Sequence, residues 1–138
     1  MRFLIVFMLL TSMALADAKK DMQNIRNKVN MQLTLERVEL MEKDADLKIL
    51  YSNILRTHGR LASILNKHPE LLKNKNLKEP KLSQLKIKLL KEDEDLIDIR
   101  MSLVRMHRKL ELKLMENPRI KELTERVESI DRRIQKLK

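Results

Sequence analysis

Two histidines at matching positions are the side chains best suited to bind a metal ion or to respond to pH. His58 and His107 lie 49 residues apart in similar local sequences, and imidazole both ligates metals and titrates near neutral pH. In an antiparallel helical hairpin centred near residues 74–75, however, they would lie roughly 17 residues, or about 25 Å, apart along the helix axis. We therefore expect no shared metal ion, and we expect each ring to rest against the apolar seam with a nitrogen in water.

The other residue types that could perform chemistry do not form a site. Asp44 with Asp46 and Asp93 with Asp95 have the composition of calcium ligands. Residues two apart on a helix point in nearly opposite directions, so we expect these aspartates to be charged flanks of the seam. The sequence contains no cysteine, no glycine-rich phosphate loop and no serine with a histidine and a carboxylate in a catalytic pattern. We expect a protein that is not an enzyme, with no catalytic residue, metal or cofactor.

The composition predicts that helices position all of these residues. The chain has one glycine, and 2% of its residues are aromatic, whereas strands favour aromatic and β-branched residues and their turns favour glycine. Leu, Lys, Glu, Met and Arg are abundant, and their unbranched stems lose little rotamer freedom in a helix. The predicted fold class is therefore all-α.

An internal repeat relates two long segments of the chain. Residues 33–71 align with residues 82–120 when the sequence is shifted by 49 positions, which is seven heptads. The leucine heptads align, and so do polar residues and prolines, including Arg56 with Arg105, His58 with His107 and Pro69 with Pro118. Heptad periodicity alone would not align the polar residues. The match therefore indicates duplication of one helical unit.

Prolines mark the expected helix boundaries, because proline lacks an amide donor and disfavours helix in the preceding residue. We predict a first helix over 17–67, a connector over 69–80, a second helix over 81–116 and a third over 119–137, with Asn117 as its N-cap. The first two helices would form a long antiparallel, coiled-coil-like hairpin. The third has a narrow apolar seam, made by Ile120, Leu123, Val127, Ile130, Ile134 and Leu137.

The first two helices also carry a second apolar face, and a two-faced helix needs two partners. These faces consist of Met31, Leu35, Val38, Ala45 and Ile49 in the first helix, and Ile97, Met101, Val104, Leu112 and Met115 in the second. In the layout we expect, the third helix folds back at Pro118 and covers them. In the alternative, it continues past a kink at Pro118, and another copy of the chain covers them in a homo-oligomer.

Basic residues are concentrated around the connector. Residues 56–91 contain ten of them against two acidic residues, Glu70 and Glu79. The ten are Arg56, Arg60, Lys67, Lys73, Lys75, Lys78, Lys81, Lys86, Lys88 and Lys91. This pattern predicts a docking surface at the hairpin tip for lipid headgroups, a cell-wall polymer or an acidic protein, or else a solubilising loop. The acidic run at 92–98 is expected to face Arg56 and Arg60.

The first sixteen residues are typical of a cleavable signal peptide. Arg2 precedes an apolar run, and small residues stand at Ala14 and Ala16, which is the three-part pattern of an export signal. The run of about 14 residues is shorter than the ~20 that a spanning helix needs. We predict cleavage between Ala16 and Asp17, which leaves residues 17–138 as one helical domain.

Export and charge together restrict the function. The chain has a formal net charge of +10 and a single tyrosine, Tyr51, so an exported protein of this composition is a poor candidate for nucleic-acid binding, which uses aromatic stacking. The absence of any Asn-x-Ser/Thr acceptor favours a bacterial periplasmic protein over a eukaryotic secreted one. In general character the chain is similar to small exported helical chaperones, although no residue motif carries that similarity.

These observations favour a non-enzymatic interaction protein, either holdase-like or a binding protein with a basic tip. A structural coiled-coil subunit of an envelope assembly and a peripheral binder of anionic lipid or cell-wall polymer remain the alternatives.

The signal prediction is checked by the mass of the exported protein. Processing after Ala16 gives an intact mass that begins at Asp17, because the small residues at positions 14 and 16 fit the signal-peptidase pattern. A protein that retains Met1 in the membrane fraction would contradict cleavage and favour an anchor.

Overall fold

A computed structural model describes residues 2–137, with side chains from Thr11 onward. Within this range the chain forms six helices and no strand, so the all-α prediction is confirmed. The helices are α1 (Arg2–Lys43), α2 (Ala45–Asn66), α3 (Pro69–Lys73), α4 (Lys81–Glu92), α5 (Glu94–Met115) and α6 (Pro118–Gln135). Asn117 caps α6 as predicted, because its Oδ1 accepts from the backbone N–H groups of Arg119 and Ile120 at 3.0 and 3.1 Å.

Two aspartates interrupt the helices that were predicted to be continuous over 17–67 and 81–116. Asp44 has an extended backbone (φ −93°, ψ 114°), and its Oδ1 accepts from the N–H of Leu47 at 3.0 Å. Asp93 repeats this geometry (φ −81°, ψ 120°), with Oδ1 at 3.1 Å from the N of Leu96. Both act as N-caps, which favour short polar side chains. The expectation that these residues are only flanks of the seam is therefore wrong.

The helix boundaries recur at the same spacing as the sequence repeat. Helices α2 and α5 each contain 22 residues, and their first residues are 49 positions apart. The same offset separates Pro69, which begins α3, from Pro118, which begins α6. Matching sequence positions therefore carry matching local structure: an aspartate cap, a 22-residue helix and a proline-initiated helix.

The described residues fall into two compact units, Met1–Leu40 with Leu114–Lys138, and Met41–Lys113. In the first unit, the buried residues come from α1, the end of α5 and α6: Val29, Leu33, Leu114, Ile120, Leu123, Val127 and Ile130. The first four positions of the predicted α6 seam are thus buried, and Ile134 and Leu137 are half-buried. Burial of this seam holds α6 against the rest of the first unit.

An ion pair shows which part of α1 lies beside α6. The Arg26 guanidinium contacts the Asp131 carboxylate at two points, at 2.5 and 3.4 Å, and this contact raises the pKa of Arg26. A third helix folded back at Pro118 would bring Asp131 beside residues well beyond 31 instead. The contact between Arg26 and Asp131 therefore contradicts the fold-back expectation.

The second unit contains the core that positions the candidate sites. Leu47, Leu50 and Ile54 of α2 and Leu96, Leu103 and Leu110 of α5 are buried. Leu71 of α3, Leu89 of α4 and Leu96 form a cluster of their own, against which leucines of α2 and α4 pack. Helix α3 is therefore held by its apolar side chain and forms part of this packed core.

The capping role of Asp44 gives a stability prediction. Asp44→Ala removes the acceptor for the Leu47 N–H and should lower the free energy of unfolding by about 1 kcal/mol, measured by urea denaturation. Asp44→Asn is the matched control, since asparagine caps about as well as aspartate and should preserve stability. An equal loss in both variants would show that the charge, rather than the cap, stabilises this break.

Candidate functional site

All ten predicted basic residues lie in the second unit, and nine of them are exposed; Lys86 is half-buried. Lys67 is the C-cap of α2, and Lys73 and Lys91 lie in the last turns of α3 and α4. Positive charge there interacts favourably with the carbonyl end of each helix. Lys75 and Lys78 lie on the connection between α3 and α4. This set is called the basic surface below.

The ion pairs within the basic surface are weak. Lys73 Nζ lies 3.7 Å from Glu70, and Lys88 Nζ lies 4.0 Å from Glu92, with all four side chains at least half exposed. Exposed pairs of this kind contribute about 0–1 kcal/mol and are screened by salt. These cations therefore remain available to an anionic partner at small cost.

Arg60 lies where the sequence predicted opposite charge. It lines an open groove of about 530 Å³ together with Asp95 and Asp98 of α5. Arg56 is not among the residues that line this groove. The acidic run thus shares a surface with one of the two arginines that were expected to face it.

The structure brings His58 and His107 into direct contact. Their Nε2 atoms are 3.2 Å apart, and the rings meet edge to edge, with centroids 5.5 Å apart and planes inclined by 66°. Both side chains are exposed. The predicted separation of about 25 Å is wrong.

The error lies in the expected register of the hairpin. A centre near residues 74–75 placed residues 89–92 opposite His58. In the structure, α3 packs through Leu71 against Leu89 and Leu96 and does not serve as the turn. His68, directly before α3, contacts Asp93, directly after α4, so the midpoints of this contact and of the contact between His58 and His107 lie between residues 80 and 83, at the start of α4.

The third histidine, which the sequence analysis overlooked, links two helix caps. His68 is the N-cap of α3, and its Nδ1 accepts from the N–H of Glu70 at 3.2 Å. The proton of the neutral ring must then be on Nε2, which donates to Asp93 Oδ2 at 3.1 Å. The only sequence signal was its position directly before Pro69, where an N-cap is expected.

Asp93 is the most strongly held carboxylate of this arrangement. The backbone N–H of Leu96 and, next, the His68 side chain hold the pKa of Asp93 below its ordinary value of 3.8. The side chains of His68 and Asp93 are 16% and 30% exposed. Hydrogen bonds to the ionised form cause this shift.

The predicted second apolar faces are mostly open to solvent, although Ile97 and Met115 are half-buried. In the first unit, Met31, Leu35 and Val38 of α1 are 66%, 64% and 42% exposed. In the second unit, Ile49 of α2 and Met101, Val104 and Leu112 of α5 are 61%, 49%, 59% and 62% exposed. Each set follows the spacing of one helix face. These residues are called the apolar stripes below.

The predicted signal segment, residues 1–16, lies mostly outside the described side chains, which begin at Thr11. No helix among the described residues is long and apolar enough to cross a membrane. In that same part, no group of three or more His, Cys, Asp or Glu side chains is placed to hold a metal ion.

Comparisons with models of protein families, with curated proteins and with solved structures found no match for this chain. Function is therefore inferred from the surfaces of the chain itself.

The lowered pKa of Asp93 predicts how acid affects stability. Because the folded pKa lies below the unfolded one, the ionised carboxylate stabilises the fold fully above pH 3.8, and this contribution disappears as pH falls through the lowered folded value. Asp93→Asn should therefore have a lower urea midpoint than the wild type at neutral pH, and the difference should vanish in strong acid.

A second variant separates the two causes. His68→Asn keeps an N-cap for α3 but removes the bond to Asp93, so it should retain part of the acid dependence, because the Leu96 N–H is the largest single cause. A midpoint difference between wild type and Asp93→Asn that stays constant into strong acid would contradict the lowered pKa.

Proposed function

We propose that this chain is an exported, non-enzymatic interaction protein that holds other polypeptides on its apolar stripes, in the periplasm or outside the cell. The observation that carries this proposal is the exposure of seven large apolar side chains, each between 42% and 66% exposed, at helical spacing on α1, α2 and α5. Large apolar side chains left exposed on one face of a helix are typical of a protein-binding site.

The chemistry of the stripes favours unfolded or amphipathic segments as clients. Met31, Leu35 and Val38 stand at i, i+4 and i+7, which matches the apolar face of a partner helix or an extended segment. Met31 and Met101 add unbranched, polarisable side chains that repack around varied shapes. Each large apolar side chain that a client covers contributes about 1.5–3 kcal/mol of burial, so a few suffice for reversible binding.

An antiparallel, coiled-coil-like hairpin of α2 and α5 is part of the proposal. Two contacts support it. His58 contacts His107, and His68, ten residues after His58, contacts Asp93, which precedes His107 in the sequence. As the residue number increases along the first segment, the number of the contacting residue decreases, as it must between antiparallel helices. A rigid hairpin would keep its stripes exposed because its leucines are already buried in the seam.

The basic surface supports a second candidate function, binding to an anionic lipid surface or cell-wall polymer. Nine exposed cations lie between residues 56 and 91, and each Lys or Arg near an anionic membrane contributes about 1 kcal/mol. In an exported protein, such a surface would hold the apolar stripes close to the envelope.

Client binding is tested by the suppression of aggregation of a reduced, unfolded protein, followed by light scattering. The double variant Met31→Gln, Leu35→Gln should lose most of the suppression, since it removes two exposed apolar side chains. The matched control Asn30→Gln, Thr34→Gln changes exposed polar neighbours on the same helix and should retain it.

The same light-scattering measurements can contradict the proposal. A wild-type protein that forms a defined oligomer and suppresses nothing would instead support a structural subunit in which copies of the chain cover the stripes. Equal activity in the two double variants would show that the α1 stripe does not bind clients.

Binding to vesicles tests the basic surface. The triple variant Lys73→Glu, Lys75→Glu, Lys78→Glu should lose binding to anionic vesicles, and wild-type binding should weaken with added salt. The control Lys20→Glu, Lys28→Glu, Lys121→Glu makes the same change in net charge at exposed lysines of the first unit. Equal losses in both variants, or binding that salt does not affect, would contradict a localised basic docking surface.

A further inference from the structure

We propose that His58 and His107 form a site for a divalent transition-metal ion that links α2 to α5. The distance between their Nε2 atoms is 3.2 Å. Two nitrogens bound at about 2.0–2.1 Å to one zinc ion, at a tetrahedral angle, lie about 3.3–3.4 Å apart. The two nitrogens are thus already at the spacing of ligands of one ion, and binding requires each ring to turn so that both lone pairs converge on the ion.

Ring protonation explains why an ion fits between these nitrogens. When the proton of each neutral imidazole is on Nδ1, both Nε2 atoms carry lone pairs that face one another and repel. One ring can relieve this by switching tautomer and donating a hydrogen bond across the gap. A metal ion relieves it more fully, because it accepts both lone pairs at once.

The surroundings leave room for the remaining ligands. Both histidines are exposed and border an open groove of about 370 Å³ that is also lined by Leu61, Met101 and Val104. The described residues place no third His, Cys, Asp or Glu side chain to complete a cluster, so water would occupy the other positions. The ligand chemistry favours Zn²⁺, Ni²⁺ or Cu²⁺, which bind imidazole well, over Mg²⁺ or Ca²⁺, which prefer oxygen.

The ion would join positions that are far apart in sequence. A bond between residues 58 and 107 fixes the packing of α2 on α5 and stabilises the folded chain in proportion to its occupancy. In a chain without cysteine, this metal link would take the place that a disulfide has in many exported proteins.

Zinc titration of the full-length, tag-free chain tests the site. Because the sequence has three histidines, three imidazole signals in the proton NMR spectrum can be assigned from single variants. Zinc chloride should shift or broaden the signals of His58 and His107 and leave that of His68 unchanged. Isothermal titration should give one zinc ion per chain, and magnesium in excess should not displace it.

Variants and a second readout complete the test. His58→Gln and His107→Gln should each weaken zinc binding at least tenfold, because each removes one of two protein ligands, whereas the control His68→Asn should bind as the wild type does. Zinc should also raise the thermal midpoint of the wild type and of His68→Asn, but not of the other two variants.

Three results would overturn the proposal. One is a zinc titration of the protein that cannot be distinguished from a blank titration with chelator present. Another is a loss in His68→Asn as large as that in His58→Gln. The third is a ratio of one zinc ion to two chains, which would place the ion between copies rather than between α2 and α5. The NMR shifts of the wild type decide the case even if a variant folds poorly.

Discussion

The carboxylate of Asp93 is the interaction on which the packing of the second unit depends. One of its oxygens accepts from the Leu96 N–H and starts α5. The other accepts from His68, whose second ring nitrogen in turn accepts from the N–H of Glu70 at the start of α3. A single side chain therefore ties the first turn of α5 to the first turn of α3, and this places Leu71 in the cluster with Leu89 and Leu96.

The sequence was sufficient for the helices themselves but not for their interruptions. Apolar spacing identified the seam of α6, and the prolines located the break after α2 and the start of α6, because both signals are local. Asp44 and Asp93 were not recognised as caps, since a polar residue within an apolar heptad pattern is compatible with an unbroken helix until its φ and ψ are known. The register was wrong for a related reason. The sequence does not show that α3 and α4 both lie between the residues that meet, which the contact between His68 and Asp93 reveals.

The repeat gives the histidine contact its geometry. His58 and His107 are equivalent positions of the two repeats, and they touch through the same atom, Nε2. In the proposed antiparallel packing of α2 and α5, this contact is the one that a local two-fold axis between the repeats would produce, as in a symmetric dimer interface. Ile54 and Leu61 then have Leu103 and Leu110 as their symmetry equivalents, and the buried leucines around the pair repeat for the same reason. Symmetry thus explains why a pair of identical ligands, rather than a mixed pair, arises at this point of the chain.

The histidine pair and the apolar stripe of α5 share one surface, which connects the two proposals physically. Met101 and Val104 belong to the stripe and also line the groove beside the rings. An ion bound to the two histidines would hold α2 and α5 in one packing and restrict the side chains that line the groove. A client bound on Met101 and Val104 would contact the same side of the groove. Any effect of the ion on client affinity must be matched by an equal effect of the client on ion affinity, because coupling between binding free energies is reciprocal. The stripe of α1 lies in the first unit, which contains no histidine, so client binding on that stripe should not respond to metal. Comparing client binding on the two stripes of one chain therefore isolates the coupling.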